Sequence, residues 1–101
     1  MDDLELQSWE LRVGEVIPDL ILDLRPAEQF ERVRIRGAVS MPYNRFQAES
    51  EVRVAGLGRI LLVDGAGARA AEMAVWLRVR GHNVCYLSGG MAAWTGLLEA
   101  R

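Results

Sequence analysis

The chain is expected to be an α/β protein, an open parallel sheet sandwiched by helices. Three observations lead there. Two short apolar runs, Leu20-Ile21-Leu22 and Ile60-Leu61-Leu62-Val63, are continuous rather than alternating, as strands covered on both faces require. Each run ends in an aspartate, Asp23 and Asp64, and is followed by turn or helix signals. Strands that alternate with helices imply parallel crossovers.

Taken in order, Leu4 to Val13 reads as a short amphipathic helix. Leu20 to Asp23 is the first buried strand. Pro26 then stands where the opening turn of a helix tolerates a missing N–H, and Ala27-Glu28-Gln29-Phe30 continues it. Gly37 interrupts, and Ala38-Val39-Ser40-Met41 reads as a short strand closed by Pro42. After the second strand, Gly65-Ala66-Gly67-Ala68 forms a glycine-rich turn into the clearest helix, Arg69 to Arg80. Its Ala70, Met73, Ala74 and Leu77 share one face at helical spacing, with Arg78 turned outward and Gly81 placed for a C-terminal cap. Val84-Cys85-Tyr86-Leu87 is another strand, and Ser88-Gly89-Gly90 turns into Met91-Ala92-Ala93-Trp94. No repeat, linker or low-complexity stretch divides residues 1–101, so one domain is expected.

Composition narrows the chemistry. A formal net charge of -2 gives no long-range attraction to nucleic acid or anionic lipid, and neither is an expected partner. Every strongly basic residue is an arginine. Without lysine there is no Schiff-base chemistry. The single cysteine, Cys85, excludes an internal disulfide and a CxxC metal site, and one histidine with one cysteine cannot make a zinc site. No metal and no cofactor are expected. Met1-Asp2-Asp3-Leu4 lacks the basic start and apolar run of a signal peptide, and no apolar stretch approaches the roughly 20 residues of a membrane span. With one thiol and no leader, a cytoplasmic protein is expected.

In open parallel sheets, sites form at the carboxyl ends of strands. The candidate here is Asp64-Gly65-Ala66-Gly67-Ala68-Arg69. A strand, a tight loop and a helix N-terminus present several backbone N–H groups to one point, which makes an anion cradle. An ordinary strand-to-helix turn would use the same spacing.

The wider pattern resembles the rhodanese (sulfurtransferase) family. Leu61 to Ala71, then Gly81-His82-Asn83-Val84, then Leu87-Ser88-Gly89-Gly90-Met91-Ala92-Ala93-Trp94 resemble its C-terminal half. Ile21-Leu22-Asp23-Leu24-Arg25, Glu28, Phe30 and Ile35-Arg36-Gly37-Ala38-Val39-Ser40-Met41-Pro42 look like its N-terminal signature. The resemblance covers nearly the whole chain in the right order and implies a rhodanese-like α/β sandwich. In active members it implies a cysteine opening the loop, which takes up a sulfane sulfur as a persulfide held by loop amides, and an arginine closing the loop. Arg69 matches that arginine, Gly67 matches the loop glycine, and Asp64 stands at the cysteine position. The loop has the short sulfurtransferase length, one residue less than in the related cell-cycle phosphatases. The family's Gly-His before the strand isoleucine is here Val33-Arg34.

A carboxylate cannot accept and hand on sulfur as a thiolate does, and it sets a negative charge where an anionic donor approaches. The resemblance therefore implies an inactive module in binding or regulation, with an unidentified protein partner or a small anion as ligand and no catalytic residue. Three roles stand open for Asp64: a stand-in anion that satisfies the loop amides and Arg69, which is preferred, a carboxylate in an altered reaction with Arg69, or a solvent-facing residue. Cys85, between Val84 and Tyr86, is expected in the core. His82 is expected on the surface near a helix C-terminus, where positive charge is favourable. Trp9, Trp76 and Trp94 are read as packing residues. Arg32, Arg34, Arg36 and Arg45 form the one basic cluster, a solvated face by default and an anionic docking site otherwise.

Pro18 to Pro26 also looks like the phospho-acceptor strand of a two-component receiver domain. That family needs an acidic pair at the end of its first strand and a late lysine; the residues before Asp23 read as no such strand, and lysine is absent.

Overall fold

A computed structural model describes residues 4–12, 14 and 16–100. In chain order the elements are β1 (Glu5–Leu6), α1 (Ser8–Arg12), β2 (Leu20–Asp23), α2 (Ala27–Arg32), β3 (Val33–Ile35), β4 (Val39–Ser40), α3 (Tyr43–Val54), β5 (Ile60–Val63), α4 (Ala68–Val79), β6 (Val84–Leu87), α5 (Gly90–Ala93) and β7 (Leu98–Ala100). Five strands form one parallel sheet in the order β1-β6-β5-β2-β4, and β3 pairs antiparallel with β7 in a separate two-stranded sheet.

The continuous apolar run of β5 is explained by its central place. It pairs with β2 on one side and β6 on the other, and all of its residues are buried. Its side chains alternate between two cores, as strand geometry dictates. Ile60 and Leu62 join Leu20, Leu22, Phe46, Met73, Ala74, Leu77 and Val84 on the face covered by α3 and α4. Leu61 and Val63 join Leu6, Ile35, Cys85 and Leu87 on the other face, with Leu11, Val16, Ile21, Met91 and Trp94 packed against them.

α4 buries Ala70, Met73, Ala74 and Leu77, the stripe its spacing predicts. It ends in a Schellman motif: the N–H of His82 reaches the carbonyl of Leu77 at 3.2 Å and that of Gly81 reaches Arg78 at 2.9 Å. α3 has a weaker signature because it buries only one residue per turn, Phe46, Ser50 and Val54, between polar neighbours.

The front of the chain departs from expectation. Leu4 to Val13 is not one helix. Glu5 and Leu6 form β1 opposite Tyr86 and Leu87, with the N–H groups of Tyr86 and Ser88 bonded to the carbonyls of Leu4 and Leu6, both at 2.8 Å. The helix begins only at Ser8, and Val13 lies outside the described residues. The free edge of β6 offers backbone partners that a helix would leave unmet, so pairing overrides the local periodicity. Trp9, expected to pack, is 50% exposed on α1. Trp76 meets Phe46 edge-on at 6.5 Å between ring centroids, with Arg80 over its face at 3.8 Å. Among the described residues no helix is long and apolar enough to cross a membrane.

Candidate functional site

β5 delivers Asp64 to the carboxyl end of the central strand, and the chain turns at once into α4. The turn requires Gly67 at a φ of 107°, in the left-handed region where only glycine is unstrained. The Asp64 side chain folds back over this turn. Oδ1 accepts the N–H of Gly67 at 2.5 Å, and Oδ2 accepts those of Arg69 at 2.9 Å and Ala70 at 3.2 Å. Three donors at the start of a helix thus converge on one carboxylate that is only 7% exposed. The negative charge also complements the positive end of the α4 dipole. These amides do point to one position, and the chain's own aspartate holds it.

A second helix start braces the loop from outside. The N–H of Met91 donates to the carbonyl of Asp64 at 2.8 Å, and that of Ala92 to Gly65 at 3.1 Å. Gly90 lies so close that a Cβ there would collide with the Asp64 carbonyl oxygen and sit 2.8 Å from the Ala66 nitrogen. Gly90, read in the sequence as part of a turn, is therefore what lets α5 press against the loop.

Arg69 is the part of the expected site that the structure separates. Its backbone N–H binds Asp64, but its guanidinium lies over the Tyr43 ring, 4.6 Å from the centroid. Among the described residues no ion pair joins it to Asp64, so the expectation that Arg69 helps to satisfy that carboxylate holds only for the main chain. Tyr43 in turn donates its hydroxyl to Glu72 Oε1 at 2.5 Å. That hydrogen bond to a carboxylate is the main reason its phenol is raised above the ordinary value, with desolvation adding to it and Arg69 opposing it.

Beside the loop is a cavity of about 620 Å³ lined by Leu24, Pro26, Ala27, Pro42, Tyr43, Asn44, Arg45 and Arg69. Tyr43 and Asn44 belong to this site and were not foreseen from the sequence. Pro42 directly ahead of them, at the N-terminal cap of α3, was the available signal. Asp64 does not line the cavity.

The four clustered arginines do not form one patch. Arg45 faces this cavity and pairs with Glu49 at 3.5 Å. Arg34 covers the Phe30 ring at 5.0 Å and bonds the Phe30 carbonyl at 3.3 Å. Arg36 belongs to a groove on the other face of the sheet. Asp23 is bound instead by Arg25: Nη2 meets Oδ2 at 2.7 Å and Nε meets Oδ1 at 3.0 Å, while Nη2 also reaches the Val33 carbonyl at 2.7 Å. This buried pair ties the end of β2 to β3.

Cys85 is 1% exposed on β6, its thiol directed to the Ile60 carbonyl at 3.4 Å. His82 lies just past the α4 cap, 3.3 Å from Glu51. Among the described residues no three His, Cys, Asp or Glu side chains are grouped to hold a metal ion.

Comparison with known proteins agrees with this layout. The profile of the rhodanese-like domain matches residues 6–97. The chain belongs to the rhodanese-like domain family. Among solved structures, a rhodanese-related protein from Thermoplasma volcanium superposes with a TM-score of 0.85 at 15% identity, covering 96% of this chain and 98% of its own. A rhodanese-like domain protein from Staphylococcus aureus gives 0.80 at 24% identity, covering 100% and 99%. A thiosulfate sulfurtransferase from Pseudomonas aeruginosa gives 0.74 at 22% identity, covering 95% of this chain and 19% of its own. At these identities the likeness is one of fold. No match was found among curated protein sequences.

Proposed function

We propose that this rhodanese-like domain is a catalytically inactive sulfurtransferase module that works as a binding or regulatory domain in the cytoplasm. The observation that carries the reading is the Asp64 carboxylate seated on the amides of Gly67, Arg69 and Ala70. In sulfur transfer from thiosulfate, a thiolate forms a bond to the sulfane sulfur and sulfite leaves with the electrons of the broken S–S bond. Asp64 has no sulfur to make that bond, and its charge already occupies the donors that would hold a persulfide. The only thiol, Cys85, is buried in the sheet. The ligand of such a module is a protein or a small anion, and Arg45, Arg69 and Asn44 around the cavity suit an anionic group. An altered enzyme using Asp64 and Arg69 has less support, because the carboxylate is buried and the guanidinium is turned to Tyr43.

The test restores the nucleophile. Asp64→Cys places a thiol among the same amides at the start of α4, where the positive potential favours the thiolate. After incubation with thiosulfate, intact mass should show one added sulfur atom in the variant and none in the wild type. Sulfur uptake by the wild type at the variant's rate would overturn the reading. An introduced thiol that stays unreactive would remove the cradle argument and leave the fold assignment in place.

A further inference from the structure

On the face of the sheet opposite α3 and α4, a groove of about 420 Å³ is lined by apolar side chains of α1, β2, β3 and the segment after α5, among them Leu11, Ile21, Ile35 and Trp94. Its walls are fixed by the rest of the fold. Ser8 on α1 bonds the hydroxyl and the N–H of Thr95, both at 3.0 Å. The Leu97 carbonyl accepts both Trp94 Nε1 and the Arg36 N–H, at 3.2 Å each. Two of the apolar side chains that line this slot also stand out in solvent, Ile17 at 79% and Leu97 at 67% exposure. A polypeptide laid across the slot would cover them.

The charges narrow the partner. Arg12 and Arg36 line the groove at exposed positions, and neither guanidinium has an ion-pair partner among the described residues. No described carboxylate lines it. A second copy docking through the same face would present the same patch, whose described lining offers these arginines no carboxylate to pair with.

We propose that this groove docks an acidic segment of a partner protein, with an apolar side chain against Ile21, Ile35 and Trp94 and flanking Asp or Glu side chains on Arg12 and Arg36. The apolar anchor supplies the contact and the rim arginines select the flanks. The groove is separate from the Asp64 loop, so failure of this docking leaves the reading of that loop untouched.

The experiment probes the full chain against short synthetic peptides with a central Leu, Ile or Phe flanked by Glu. Matched sets carry Lys flanks or a central Ser. The Glu-flanked apolar peptides should be retained, and the other two sets should not. Ile17→Asp should weaken retention by about tenfold or more. The double reversal Arg12→Glu with Arg36→Glu should lose the Glu-flanked peptides and gain the Lys-flanked ones. These positions are exposed, so the variants should melt as the wild type does. Retention that ignores flank charge, survives the reversal, or fails for every peptide would overturn the proposal. So would a concentration-dependent dimer in sedimentation that Ile17→Asp abolishes, which would give this face to a second copy.

Discussion

Among single residues, Asp64 is best understood as a helix cap placed three residues ahead of the cap position, Gly67. Its energetic role follows from the donors it satisfies. Asp64→Ala would leave the amides of Gly67 and Ala70, both in buried residues, without their acceptor, at a cost of about 1–3 kcal/mol. Denaturant unfolding should show that loss, and Asp64→Asn, which keeps one acceptor oxygen, should lose less. A neutral effect of Asp64→Ala would mean that the carboxylate is not what organises the loop. The two tyrosines permit a test by pH. Hydrogen bonding to Glu72 raises Tyr43, and desolvation followed by hydrogen bonding to Glu5 raises Tyr86. A phenol whose folded value is raised holds its proton longer in the folded state than in the unfolded state. Its contribution to stability is complete below about pH 10 and is lost as pH climbs through the folded value. Phenolate absorbance of the native protein should therefore rise above pH 10, and Glu72→Gln should bring one of the two transitions back down.

Of the helices and strands, α4 was the most legible in the sequence, because a wide apolar stripe and a terminal glycine agree on one register. Leu77→Ala should cost about 2–5 kcal/mol, since the side chain is fully buried in the core. The outward control is Val79, 79% exposed, where truncation to Ala should stay within about 0.5 kcal/mol. Arg78, expected to face solvent freely, would be a poor control. Its Nε donates to the Val84 carbonyl at 2.6 Å and joins the helix to β6. Thermal melts that ranked Val79 above Leu77 would put the register wrong. The elements that sequence patterns did not reveal have physical reasons in common. β3 and β7 are short strands that stabilise each other across more than sixty positions, with Val33 opposite Ala100 and Ile35 opposite Leu98. β1 has only two residues and exists because β6 has an open edge. Neither pairing leaves a local signal of the kind that a helix face does.

Across the molecule, the centre of the sheet controls access to the one thiol. Cys85 is covered by the neighbouring strand and by the second core, so a bulky thiol reagent should label it only when the protein unfolds globally. Labelling in the native state should be slow and should speed up with denaturant along the unfolding curve. Rapid stoichiometric labelling of folded protein would contradict the placement of β6. The alternation of strands and helices, the buried central runs, the glycine loop after β5 and the family could all be read from the amino acids alone, because periodicity, turn chemistry and motif order are local properties of the chain. The destinations of the charges could not, and they emerged with the folded arrangement. It seated Asp64 on amides three to six residues ahead, turned the Arg69 guanidinium to Tyr43 twenty-six positions earlier, and sent Arg36 and Arg45 to opposite faces of the sheet. Side-chain partners are chosen by which elements the sheet order brings together, and that order depends on packing across the whole chain rather than on any one stretch of it.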